Sequence, residues 1–451
     1  MRPAIRILLL ALPLWLLYGI LCKYAPLRNA IFLEMPQPIR FFRPPEAYYL
    51  KSFGASVKAG FAKRDITPPR FSWLAGYYPP HPGIFVNDRL WVKSLALQDR
   101  WGSRFVIVSC DLIGLLPDEI EKIKSIVPKE FLLIGATHTH SGPDVMGFWG
   151  IPPFTGKNRH YMEFLRKQIV EAIEESVTNL GEGAIRFGQG EFFGYVEGRE
   201  ENLPDSAVSV MQVLLSSGVP ITLVNFAAHA DWIKSFYVSA DFPYYLYERL
   251  GRLTGGEVIF IPGAIGGVQP IGDNNSDLFF ARTLGEDLAD RVYKIMKQPI
   301  TDYSVKILGK NPQVLNVGIS NKKFLWASKI GIISGIVKKD GGIAKNFKIQ
   351  SNNRNIHISE DPRLELHLMG ITIGSAEIVY VPGELFPKIW RRVKSKMKGN
   401  PKFIFGLTDG ELGYILDEKD FDSGKHPYYV GMSVGRGIGA GIEKVLLNIV
   451  K

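Results

Sequence analysis

Apolar positions along the chain fall into two periodicities. Short, near-continuous apolar runs rich in β-branched and aromatic residues read as buried strands at 90–98, 105–110, 131–136, 208–215, 221–227, 258–261, 364–373, 377–381 and 402–406. Between them, apolar residues recur every three to four positions and predict amphipathic helices. One covers 117–127, with Ile120, Ile123 and Val127 on one face. A longer one covers 161–180, with Phe164, Leu165, Ile169, Ile173 and Val177 in register. Further helices are expected at 278–297, 385–396 and 435–451. Ser216-Ser217-Gly218-Val219-Pro220 joins two runs into a strand pair, and 364–373 with 377–381 reads as a hairpin. Strands alternating with helices predict an α/β (α+β) domain whose β-sheets are covered by helices. The segment 310–362 has the least regular pattern, and no short-period repeat occurs.

The pattern changes at the N-terminus. Arg2 and Arg6 precede an unbroken apolar run over 7–22, which reads as a signal anchor or signal peptide over 1–24. No small-x-small cleavage site follows, which favours an uncleaved transmembrane anchor; a cleaved signal peptide leads to the same compartment. The expectation is a membrane-anchored, extracytoplasmic protein, on the periplasmic or extracellular face. Residues 25–56, with Pro26, Pro36, Pro38, Pro44, Pro45, Tyr48 and Tyr49, read as a tether. The folded body then occupies 57–451.

Composition narrows the function classes. With 46% hydrophobic and 22% charged residues, the chain is an ordinary globular protein. A net charge of +10 leans towards anionic surfaces or acidic substrates. Lys/Arg blocks with interleaved aromatics are absent, which argues against nucleic acid as a partner. Two cysteines, Cys22 and Cys110, rule out a disulfide framework and a cysteine zinc site.

Chemistry concentrates where strands end. Ala136-Thr137-His138-Thr139-His140-Ser141-Gly142-Pro143 follows the 131–136 run, so two histidines stand two residues apart at a strand terminus. On an extended strand such positions share a face. His229 follows the 221–227 run, Glu384 follows 377–381 and a Pro-Gly turn, and Tyr414 follows 402–406 and a loop. Four strand ends offering His, His, Glu and Tyr suit a zinc ion with nitrogen and oxygen ligands. The competing reading is a set of hydrogen-bonded core histidines. Asp111, Asp231 and Asp241 are candidates to orient the ligating imidazoles, or else helix-capping and turn residues.

Several segments together resemble the catalytic domain of the neutral/alkaline, non-lysosomal ceramidase family. They are Ala59-Gly60-Phe61-Ala62-Lys63-Arg64-Asp65-Ile66-Thr67-Pro68, Leu74-Ala75-Gly76-Tyr77 with Gly83-Ile84, and Val108-Ser109-Cys110-Asp111-Leu112. Thr137-His138-Thr139-His140-Ser141-Gly142-Pro143 matches that family's most specific motif intact. Asn225-Phe226-Ala227-Ala228-His229, Val238-Ser239-Ala240-Asp241, Pro382-Gly383-Glu384, Gly406-Leu407, Gly413-Tyr414 and Tyr429-Val430-Gly431-Met432-Ser433 follow in family order.

The resemblance implies zinc held by His138, His229, Glu384 and Tyr414. It implies His140 as the group that touches the substrate amide or shuttles a proton, and Tyr429 and Arg199 as oxyanion or head-group contacts. It also implies a zinc-dependent hydrolase that cleaves the amide bond of ceramide or a related N-acyl lipid. Zinc lowers the pKa of bound water towards ~7 and polarises a carbonyl. The alternatives are a zinc amidase or esterase for another acyl compound, and a membrane-tethered binding protein without turnover. The chain departs from the family at Gly266-Gly267-Val268-Gln269-Pro270, where Gly267 and Gln269 replace an Asp and a Ser. Gly198-Arg199-Glu200 replaces Asn-Arg-Ser, and 422–425 is a small insertion. The chain ends at Lys451 without the family's immunoglobulin-like C-terminal domain, as a short, membrane-anchored member would. The apolar stretch 324–337 reads first as a buried helix and second as an acyl-chain groove or membrane contact.

Overall fold

A computed structural model describes residues 56–69, 71–127, 131–151, 154–198, 203–271, 278–302, 305–329 and 363–451. The expected anchor, the tether up to residue 55, Arg199 and residues 330–337 lie outside the described residues. Among the described residues, no helix is long and apolar enough to cross a membrane.

The larger sheet contains β1 (Val57–Asp65), β2 (Trp91–Gln98), β3 (Arg104–Cys110), β4 (Phe131–Ala136), β5 (Gly181–Glu191), β6 (Ala207–Leu215), β7 (Pro220–Phe226), β8 (Glu257–Pro262) and β9 (Ile300–Asp302). Its order is β8-β7-β6-β5-β1-β2-β3-β4, with β9 paired to β5. The centre is antiparallel, but each edge is a parallel pair: β3 with β4 and β7 with β8. Parallel neighbours need a crossover. Helix α1 (Pro117–Lys124) supplies it at one edge, and α3 (Phe242–Thr254) at the other. A smaller sheet of β10 (Ile307–Gly318), β11 (Arg363–Ile373), β12 (Ala376–Tyr380) and β13 (Lys402–Phe405) runs in that order. Its parallel pair, β12 with β13, is joined through α5 (Pro387–Lys394).

Helix α2 (Arg159–Thr178) covers β1 and β2. Its close approach needs a residue without Cβ at Gly60, because a Cβ there would overlap the Ser176 carbonyl oxygen. Helices α3 and α4 (Leu278–Ile295) pack together, with Phe242, Leu246, Leu250, Leu284, Leu288 and Val292 in one buried cluster with Phe260 of β8. The C-terminal helix α6 (Ile438–Val450) lies against β10 and β11.

The larger sheet curls until its edges nearly meet. Ser109 of β3 donates through Oγ to the Phe260 carbonyl at 2.6 Å, and Lys93 of β2 donates to the Val258 carbonyl at 2.7 Å. The chain leaving β13 enters the seam: Gly406 N–H donates to Pro262 O at 2.9 Å, and Ala136 N–H donates to Leu407 O at 3.2 Å. Asn225 of β7 stitches the two sheets, donating from Nδ2 to Ile261 O at 2.9 Å and Ile404 O at 2.8 Å. Three parallel pairs therefore end side by side, with the carboxyl ends of their strands opening onto one crevice. That is where open α/β sheets characteristically present functional groups.

The expected strands and helices match their observed counterparts to within a few residues at each end, but β1, β5, β9, β10 and α3 were not among them. Most of β10 falls inside the stretch expected to be least regular. It carries Gly309, Asn311 and Pro312 at a bulge between Lys310 and Gln313 and is mostly solvent-facing, so its apolar alternation is weak. β5 was hidden by Gly181, Gly183, Gly188 and Gly190, which depress strand propensity. The last two let Ile295 approach the strand backbone closely.

Candidate metal centre

The carboxyl ends of β4 and β7 set the histidines. After Ala136 the chain stays anchored to β3 through Thr137 N–H on Cys110 O and His138 N–H on Leu112 O, both 2.9 Å. His138 then adopts φ 66°, a left-handed conformation uncommon outside glycine and associated with functional sites. Thr139 makes a parallel bridge to Ala230, and His140 N–H donates to Ala230 O at 2.9 Å. The two histidines thus do not share a face by strand alternation; the turn at His138 brings them together, with Nε2 atoms 3.4 Å apart. His229, one residue before Ala230, is drawn to the same place by that bridge, and its ring lies 4.9 Å from that of His138. Ring nitrogens of His138, His140 and His229 lie within 4.8 Å of one another, a group that could hold a metal ion.

Glu384 and Tyr414 come from the second sheet. Glu384-Leu385 pairs in parallel with Tyr414-Ile415, and Glu384 N–H donates to Gly413 O at 3.0 Å. Glu384 Oε2 is 2.9 Å from His229 Nε2 and 3.7 Å from His138 Nε2. The Tyr414 hydroxyl hydrogen-bonds Glu384. Tyr429 is buried beside it, with ring centroids 4.7 Å apart. Of the groups expected to converge, His138, His140, His229, Glu384, Tyr414 and Tyr429 do so.

Electrostatics suit a cation. Burial pushes the pKa of His138 down to about 3, against the pull of Glu384. Burial, reinforced by His229, does the same to His140, also to about 3. Neutral imidazoles offer lone pairs, as ligation requires. His138 Nδ1 lies 2.7 Å from Ile113 O; donation of its N–H there leaves the Nε2 lone pair facing the cluster. Burial and the Glu384 charge raise the Tyr414 hydroxyl well above its usual range. Imidazole nitrogens of His138 and His229, a carboxylate and a phenol make a donor set fitting a divalent ion of the zinc type.

The three aspartates act on the frame. Asp111 accepts from Trp91 N–H and from the Tyr247 hydroxyl, both at 2.9 Å. Asp241 caps α3, accepting from Phe242 N–H at 2.6 Å and from Ile233 N–H at 2.8 Å. The Ile233 carbonyl in turn takes the Ser141 hydroxyl at 2.7 Å, which pins the loop after His140. Asp231 is half-buried and acts electrostatically on Asp241. The imidazole partner observed for His138 is a backbone carbonyl, because the loop after β3 runs directly beneath it. Gln269 donates to Glu197 at 2.8 Å across a short antiparallel pair, and Gly267 takes φ 70°.

Sequence reasoning gave no role to three residues near the centre. Glu411 is buried, accepts from Gly413 N–H through Oε1 at 2.7 Å, and has an Oε2 without a hydrogen-bond partner among the described residues. Burial and neighbouring Glu384 push its pKa well up. Its only signal in the sequence is an acid between glycines just before Tyr414. Gly76, at φ 89°, lies so close to His140 that a Cβ there would overlap Nδ1. Tyr77 packs its ring 5.5 Å from that of His140.

No protein-family model and no curated protein sequence matches the chain. Solved structures do. The neutral ceramidase from Pseudomonas aeruginosa superposes with a TM-score of 0.65 at 17% identity, over 88% of this chain and 74% of that one. A ceramidase complexed with C2 gives 0.64 at 16%, over 88% and 75%. Sheets covered by helices, in the arrangement described above, thus make this chain an α/β protein with the neutral-ceramidase fold.

Proposed function

We propose that this protein is a zinc-dependent hydrolase of the amide bond in ceramide or a related N-acyl lipid, working outside the cytoplasm and anchored by residues 1–24. The observation that carries the reading is the convergence of His138 and His229 on one carboxylate oxygen of Glu384, at 3.7 and 2.9 Å, at the crevice of a fold found in ceramidases. His138, His229, Glu384 and Tyr414 would hold the ion. When bound, it would polarise the acyl carbonyl and acidify water. Neutral His140 accepts the proton of the attacking water at Nε2 and returns it to the departing amine, a role worth typically ~10²–10⁴-fold. The Tyr429 hydroxyl donates to the carbonyl oxygen as charge develops there, with Arg199 assigned to the same oxygen or the head group.

The test is metal analysis of the purified full-length chain, followed by fatty-acid release from a fluorescent ceramide. About one zinc per chain is expected, with turnover lost on chelation and in His138→Ala. Turnover that survives metal removal, or hydrolysis of simple esters with ceramide untouched, would overturn the assignment.

A second expectation concerns Gly76→Ala. The added methyl overlaps the His140 ring, at a glycine whose φ of 89° also disfavours a side chain. Zinc content should be unchanged while kcat/KM falls on the order of 10²-fold, the cost of misplacing a reacting group by about 1 Å.

A further inference from the structure

Three segments around the crevice carry exposed apolar side chains and meet one another. Residues 77–86 contribute Tyr78, Ile84 and Phe85, residues 232–237 contribute Phe236 and Tyr237, and the start of α4 contributes Phe279 and Phe280. Tyr78, Phe236 and Phe279 are 68%, 49% and 67% exposed. The segments are physically joined. Ile84 N–H donates to Phe236 O at 2.9 Å, and Tyr237-Val238 pairs with Phe85-Val86. The rings of His81 and Phe236 are 6.0 Å apart, and Trp232 stacks on Phe280 at 6.1 Å. The rim reaches the centre itself through Tyr77, which touches both His81 and His140.

These are not scattered surface residues. A contiguous exposed apolar patch marks an interaction site rather than ordinary surface. Its chemistry selects the partner. Lys234 and Arg282 lie in these segments and no Asp or Glu falls within 77–86, 232–237 or 278–282, although Arg282 Nε donates to Glu286 Oε1 at 2.9 Å one turn further along α4. Lys234 and Arg282 are exposed, and the whole chain carries +10. Exposed aromatic rings beside an exposed lysine, on a chain of net positive charge, match the headgroup–acyl boundary of an anionic bilayer, where rings sit among the headgroups and cations meet lipid phosphate. Pro79, Pro80 and Pro82 stiffen the outer segment, so little ordering entropy opposes docking.

The geometry points to this aromatic rim as a bilayer-docking surface that presses the mouth of the crevice against anionic lipid. Its partner is a lipid surface, and the contact is distinct from the N-terminal segment. Docking would let a water-insoluble substrate enter the crevice without crossing bulk water, but the contact itself needs no turnover.

The test uses the full-length chain in a Cys22→Ser background; Cys110 is fully buried and stays unlabelled. An environment-sensitive fluorophore is placed by Tyr237→Cys or Phe279→Cys on the rim, or by Ser217→Cys as control. Ser217 lies in the turn before β7, at the end of that strand opposite His229, about 20 Å away. Each protein is added to phosphatidylcholine–phosphatidylglycerol vesicles carrying a quencher on the lipid tails. The expected result is a blue shift and several-fold quenching at both rim positions, none at Ser217, and partial loss in high salt. Ile84→Ser with Phe236→Ser should abolish the Phe279 response. No quenching at the rim, or equal quenching at Ser217, overturns the proposal. A rim shift that appears without vesicles and tracks protein concentration overturns it in favour of a second copy of the chain. None of these readouts depends on ceramide cleavage, so failure of the activity assay and failure of docking remain separate results.

Discussion

Replacing His229 by alanine is expected to lower hydrolysis of an N-acyl lipid by at least about 10³-fold and to remove the bound metal. Loss of one oxyanion donor alone costs ~10²–10³-fold in a comparable system, and loss of the ion removes several kcal/mol of transition-state charge stabilisation. Its removal also leaves Glu384 facing His138 at 3.7 Å with buried Glu411 nearby. The carboxylate then loses its nearest partner, at 2.9 Å. The fold survives, because the surrounding hydrogen bonds run through Thr139, Ser141, Asn225 and Ala230 rather than the imidazole. The check is kcat/KM on fluorescent ceramide alongside metal content and far-ultraviolet circular dichroism. A folded variant that keeps zinc and activity would show that the ion, if any, sits elsewhere.

The second large effect is on stability against pH in metal-free protein. His138 has an ordinary pKa of 6.5 when unfolded and about 3 when folded, because burial disfavours the charged ring. The contribution of this group is fully present above pH 6.5 and is lost as pH falls towards 3, since only the unfolded state takes up the proton. A shift of that size corresponds to about 4–5 kcal/mol. Asp88 and Asp241 work in the opposite sense. Burial raises both to about 7, so their contribution is greatest below about pH 4 and declines as pH rises through 7. The histidine effect is therefore read as a difference: urea unfolding of chelated wild type and His138→Gln, each from pH 7.5 to 4. Wild type should lose more stability on acidification, and the gap should narrow steadily from about pH 6.5 down to 4. Zinc added at pH 7.5 should raise the wild-type midpoint. Parallel curves for the two proteins would contradict the burial argument.

How much was legible in the chain differs by level. Strands such as β4, β7 and β12 are buried on both faces, so their apolar runs are continuous and their ends unmistakable. Residues that must stand at such ends, His138, His229 and Glu384, were legible for the same reason. β5 and β10 were not, because glycines or solvent exposure erase the apolar signal where backbone contacts alone set the pairing. Asp241 reads as a helix cap from its neighbours Phe242 and Pro243, and it is one; its second bond, to Ile233 N–H, crosses a loop whose path no local pattern encodes. Glu411 stayed hidden because an isolated acid between glycines looks like a turn residue until Glu384 and Gly114 enclose it.

The chain by itself determined which residue types end which strands, because side-chain alternation and apolar continuity are local properties set by burial. Only the tertiary structure decided that three parallel pairs end at one crevice, that His138 turns through a left-handed conformation to meet His140, and that an aromatic rim surrounds them. Those outcomes follow from the curl of the larger sheet and the seam filled by residues 406 and 407. Curl and seam are sums of many long-range hydrogen bonds and packing contacts, and no single segment of sequence carries them.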